Sequence, residues 1–126
     1  EWAHAGKYRS YLDAAKQVDT WIKELWDWVQ SDPQYRNKTT LLITTDHGRG
    51  DLIKKEWTSH NNKIQDAHEI WMAVMGPDTP VREEVKGPVQ LYQQQIAQTI
   101  ARLMGRTYTA QHPIADPILY VFKMKK

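Results

Sequence analysis

The chain has 126 residues, no cysteine, and 17 Lys and Arg against 15 Asp and Glu, a formal net charge of +2. That length allows one modest core. The missing cysteines exclude disulfide frameworks and Cys-type zinc sites but leave the compartment open. So even a charge balance gives no nucleic-acid footprint. No apolar run approaches the roughly 18 residues a membrane span requires, and no charged-then-apolar leader is visible at the start.

In chain order, residues 7–30 carry a helical pattern. Tyr8, Tyr11, Leu12, Ala15, Val18, Ile22, Leu25, Trp26 and Val29 recur at three- and four-residue steps with charged and amide residues between them. Ser31-Asp32-Pro33 ends it, because the residue before proline avoids the helical region. Four of the six tryptophans (Trp2, Trp21, Trp26, Trp28) lie in the first thirty residues, which predicts that this end packs against something substantial.

A strand is expected at 39–45, its Leu41-Leu42-Ile43 centre reading as buried on both faces, as in a parallel sheet. It stops at Asp46-His47-Gly48, which delivers an oxygen and an imidazole nitrogen to its carboxyl end, where open α/β sheets place their ligands. Adjacent Asp and His suit zinc or manganese better than calcium. Residues 48–66 form a long polar loop, which in a compact domain is usually functional or mobile. Ile70–Met75 is a second buried strand, closed by Gly76-Pro77, and a proline-bearing connection runs from 77 to 90. A helix follows at about 90–104, with Leu91, Ile96, Ile100, Leu103 and Met104 apolar and Gly105 at the C-cap position. Pro117–Met124 has the β-branched and aromatic content of a last strand. The order of elements is that of an α/β layered fold, with too few strands for a self-sufficient sheet, so the chain reads as part of a larger one. The strands at 40–45 and 70–75 should be neighbours, with both helices on the sheet's faces.

Of the five histidines, His47 is singled out by Asp46 and the strand end. His60, thirteen positions later, lies in a loop able to fold back over that end. His68 competes with it for the same role, although it directly abuts the second strand and has less freedom to reach across. His4 sits among small residues before the first helix, and His112 reads as surface. No Gly-x-Ser-x-Gly elbow or Gly-rich phosphate loop is present, and Ser10, Ser31 and Ser59 lack the strand-to-helix setting of a nucleophile.

The ordered set Glu1-Trp2-Ala3-His4, Thr45-Asp46-His47-Gly48, Trp57-Thr58-Ser59-His60 and Trp71-Met72-Ala73-Val74-Met75-Gly76-Pro77 resembles the C-terminal part of the alkaline phosphatase superfamily. Its members include phosphatases, nucleotide pyrophosphatase/phosphodiesterases, sulfatases, phosphopentomutases and cofactor-independent phosphoglycerate mutases. The helix around Tyr92–Gly105 looks like the family's late helix. The resemblance implies an alkaline-phosphatase-like layered fold, of which residues 1–126 are the C-terminal, metal-ligating portion. It implies that His4 is the histidine of an Asp-x-x-x-His pair, whose aspartate would fall one position before Glu1. Asp46 and His47 match the Asp-His pair, and His60 the distant histidine.

On that resemblance two divalent ions, zinc or alternatively manganese, are expected, bound by His4, Asp46, His47 and His60. The early aspartate and the Ser or Thr nucleophile have no counterpart in this chain and are expected upstream. The implied partners are a small-molecule phosphate or sulfate ester and the upstream part of the same protein. The leading reading is a two-metal ester hydrolase, with this portion inactive alone. A phosphoglycerate mutase-like phosphoryl transfer and a non-catalytic binding domain are the alternatives.

Overall fold

A computed structural model describes residues 1–87 and 89–123. Its longest element is α1, Tyr8–Ser31, of 24 residues and therefore about 36 Å long. Asp32 ends the helix in extended conformation, and its N–H still donates to the Trp28 carbonyl. The Asp32 carboxylate then accepts the Gln34 N–H at 2.7 Å, which turns the chain away before Pro33 could extend the helix.

β1 (Leu41–Thr44) and β2 (Met72–Met75) pair in a two-stranded sheet. The two expected strands are thus neighbours, but they run antiparallel, with Leu41 opposite Met75 and Thr44 opposite Met72. All eight of their residues are half-buried, so the double-sided burial expected of a parallel sheet is not met. The physical reason lies in the layers. Among the described residues, the only elements in extensive contact are β1 with β2 and the helix Ile96–Leu103 with the 3-10 turn before it. No helix is pressed flat on either sheet face. At the open end of the pair the two chains come closest at Gly76, where an added Cβ would stand 2.4 Å from Thr40 Oγ1 and 2.8 Å from its Cα.

The loop between the strands carries one short helix, α2 (Lys54–Trp57). The late helix begins as a 3-10 turn at Gln93–Gln95 and continues as α3, Ile96–Leu103. Gly105 follows with φ of +66°, the left-handed conformation that glycine supplies at a helix end.

The expected strand at 117–124 is not formed. Leu119–Val121 is a 3-10 turn, and Met124, like Pro88 of the preceding connection, lies outside the described residues. What fixes this segment is Thr99, which is wholly buried. Its hydroxyl donates to the Gln95 carbonyl at 2.7 Å and accepts the Ile118 N–H at 2.9 Å. Ile118 and Val121, three residues apart and so on one side of a 3-10 turn, are buried with it. The Arg102 guanidinium lies 4.6 Å from the centre of the Phe122 ring.

Burial is otherwise thin. Along α1 only Val29 is buried, while Tyr8, Leu12, Val18, Trp21, Leu25 and Trp28 are exposed. The tryptophan-rich end therefore does not pack against anything substantial within the described residues. Trp28 meets Tyr35 at 5.5 Å, and Lys7 lies over Trp2 at 5.3 Å.

Candidate functional site

The site forms where β1 ends. After Thr45 the chain turns out at Asp46, whose side chain is 85% exposed, and back in at His47, whose side chain is 28% exposed. The Asp46 carboxylate accepts the His47 backbone N–H at 3.0 Å. Its other oxygen stands 3.6 Å from His47 Nε2. Gln93, in the turn before α3, reaches the Asp46 carbonyl at 3.4 Å.

Gly48 then allows the closest approach in the loop. Its N–H donates to the Ala67 carbonyl, and a Cβ at this position would lie 2.2 Å from the Asp66 carbonyl oxygen. Asp66 itself adopts φ of +66°. The returning limb of the loop is thereby sealed against the strand end, and only glycine leaves it room.

His60 is brought over the same point. Its ring stacks on His47 with centroids 3.7 Å apart and planes 13° from parallel, and the His4 ring lies 5.2 Å from His60 on a tilted plane. The amino-terminal turn that carries His4 is buried at Ala3 and closed by backbone hydrogen bonds from Ala5 and Gly6. Tryptophan 57 connects the parts. Its ring meets Tyr8 and Tyr11 of α1 edge-on at 5.3 and 5.7 Å. Trp57 offers its carbonyl to Arg49, and the Thr58 carbonyl next to it accepts His4 Nδ1–H. His68 and His112 are exposed, and it is His60 that stacks on His47.

Two hydrogen bonds fix the tautomers of this cluster. A backbone carbonyl can only accept, so His4 Nδ1, 2.9 Å from the Thr58 oxygen, carries the proton. The same holds for His47 Nδ1, 2.8 Å from the Gly48 oxygen. In both rings Nε2 is left as the lone-pair nitrogen. A histidine anchored through one ring nitrogen to a carbonyl is the arrangement that orients imidazoles toward metals. His60 is held below the ordinary imidazole range. Partial removal from water by the neighbouring rings is the main cause, followed by the charges of His47, His4 and Arg49. That direction favours the neutral form, the one that donates a lone pair.

The donor set of three imidazoles and a carboxylate thus fits a divalent ion in chemistry and tautomer. Ring orientation differs. Imidazole donates in its own plane, and stacked His47 and His60 do not aim their nitrogens at one point. Among the described residues no group of three or more His, Cys, Asp or Glu is arranged to hold an ion. The four expected ligands are brought together as neighbours, and the stacking of two of them keeps their lone pairs apart.

A hollow of about 690 Å³ opens beside β2 and the segment 79–91 and is lined by none of these four side chains. Sequence reasoning missed Trp57 and its two tyrosines as the tie between helix and loop. Their spacing three and four residues apart in α1 read as core. It also passed over Arg49, two residues after His47, whose position beside the motif was the available signal.

A family model described as Sulfatase matches residues 2–106, which include every residue of this cluster. The chain belongs to the sulfatase family. That membership places it in the alkaline phosphatase superfamily, among hydrolases of sulfate esters. No curated protein and no solved structure matches it. The mixed helix and two-strand architecture is consistent with a sulfatase-type α/β chain, and no helix among the described residues is long and apolar enough to cross a membrane.

Proposed function

We propose that these 126 residues are the metal-ligating portion of a two-metal sulfate- or phosphate-ester hydrolase with the superfamily's layered fold. A nucleophile-bearing portion not included in this chain would complete the site. What supports the reading is the gathering of the His4, His47 and His60 rings at the end of β1, next to Asp46, with Nδ1 of His4 and of His47 anchored on carbonyls. Membership of the sulfatase family supports the ester class.

Asp46 and His47 would hold one ion and His4 and His60 the other. Zinc suits this donor set, with manganese as the alternative. Such ions, when bound, polarise the ester oxygens and stabilise the charge that develops on attacking and leaving oxygens. The protein's own residues supply the rest. Gly48 and the Asp66 turn hold the loop closed over the strand end, and the Thr58 carbonyl holds His4 beside His60.

The full-length protein should hydrolyse an aryl sulfate or aryl phosphate, and a chelator should abolish turnover. His47→Ala should lower kcat/KM by several orders of magnitude. It should weaken zinc by more than the ~10–100-fold typical of losing a ligand's hydrogen-bonding partner. Full activity in His47→Ala, or chelator-resistant turnover, would overturn the reading.

A further inference from the structure

Arg49 lies inside this cluster with no acidic partner. It is half-buried, and among the described residues no carboxylate pairs with it. Its hydrogen bond, from an Nη to the Trp57 carbonyl, is long at 3.4 Å. A guanidinium has five donors in a rigid fork, so most of this one's donors stay open. Partly burying an unpaired cation costs free energy unless an anion completes it.

The neighbours point to the same occupant. His4 and His47 have each spent one nitrogen on a carbonyl, and the His60 ring is stacked on His47 with His4 beside it. Asp46, the single carboxylate in the cluster, points into solvent with its side chain 85% exposed. The Arg49 fork is therefore a permanent positive charge at the site, two residues from His47 and tied to the end of α2, three residues before His60. A planar fork matches two oxygens of a tetrahedral oxyanion.

We infer that Arg49 is an anion-binding residue that grips the oxygens of a tetrahedral sulfuryl or phosphoryl group presented to the histidine cluster. This deepens, and rests on, the ester-hydrolase reading. It assigns Arg49 to substrate rather than to metal, and it predicts a loss of oxyanion affinity without a loss of ion affinity.

The test is calorimetric titration of inorganic sulfate, and separately inorganic phosphate, onto the zinc-loaded full-length protein. Arg49→Ala should weaken oxyanion binding about tenfold or more, the scale of a charge-assisted hydrogen bond, and Arg49→Lys should restore part of it. Zinc affinity, read by competition with a chromogenic chelator, should stay within about twofold, since no ligand is removed. The larger loss for one of the two oxyanions identifies which ester the fork serves. Undiminished oxyanion affinity in Arg49→Ala overturns the inference, as does a parallel fall in zinc affinity, which would mark a structural role through the Trp57 carbonyl. An oxyanion that does not bind the wild-type protein overturns it too. If the wild-type protein binds the oxyanion through Arg49 but hydrolyses no ester, the hydrolase reading falls and the anion site stands.

Discussion

At Gly48 there is no room for a methyl group, whereas Trp21, in the middle of α1, leaves 57% of its surface in water. The two regions meet through Trp57, yet they are held in opposite ways. The loop that carries the histidines is fixed by backbone: a bond from Gly48 to Ala67, a left-handed Asp66, carbonyls that anchor two imidazoles. α1 is fixed at its first turn by Tyr8 and Tyr11 and presents most of its apolar residues to solvent. Side-chain bulk is thus a poor guide to importance in this chain. Close backbone approach is the better one.

The sharpest way to break that comparison is to add one methyl group and remove one indole. Gly48→Ala drives a Cβ into the Asp66 carbonyl and should lower unfolding free energy by about 2–4 kcal/mol, as strained positions do. Trp21→Ser, far larger in volume, should stay within about 0.5 kcal/mol, as exposed substitutions do. Urea midpoints read both, and equal shifts would show that the contrast is false.

Next in size is Thr99. Thr99→Val keeps the shape but leaves the Ile118 N–H without its buried acceptor, for a cost of about 1–3 kcal/mol. Thr99→Ser should retain most of the stability. If valine were as stable as threonine, the hydroxyl would not be what docks the tail on α3.

The smallest effect is that of pH. The His60 pKa lies below its ordinary 6.5 in the folded chain, so on acidification below 6.5 the unfolded chain takes up the proton first. Stability therefore falls as pH drops through that window and is unaffected above it. Melting temperature should decline from about pH 7.5 to 5.5, and less steeply in His60→Asn. An identical decline in the variant would clear His60 of the effect.

Parts of this molecule were legible in its residues. The three- and four-residue spacing from Tyr8 to Val29, stopped at Asp32-Pro33, defines α1 to within a residue at each end. The apolar runs at Leu41 and Met72 locate both strands, and Asp46-His47 marks the end where the cluster assembles. Direction and burial of the strands were not legible, because an apolar run has no sign and its covering layer is not local. The tail misled for a different reason. Ile118 and Val121 suit a strand in composition, but their separation of three is set by Thr99, which lies far away in sequence. That the His60 ring, and not His68, meets His47 depends on the path of the 45–71 loop, which residue spacing alone does not announce.

The pairing of β1 with β2 has a kinetic side. Between Thr44 and Met72 lie 27 residues, 45 to 71, that must be drawn into a ring before the ladder can close. For a flexible segment of that length the entropic cost scales as (3/2)RT ln n, about 3 kcal/mol. The Gly48–Ala67 bond sits just inside the ladder and joins the two limbs near their base, so the remaining 18 residues, 49 to 66, form a smaller ring of their own. Closing the Gly48–Ala67 contact therefore leaves only residues 45 to 47 and 68 to 71 between it and the ladder.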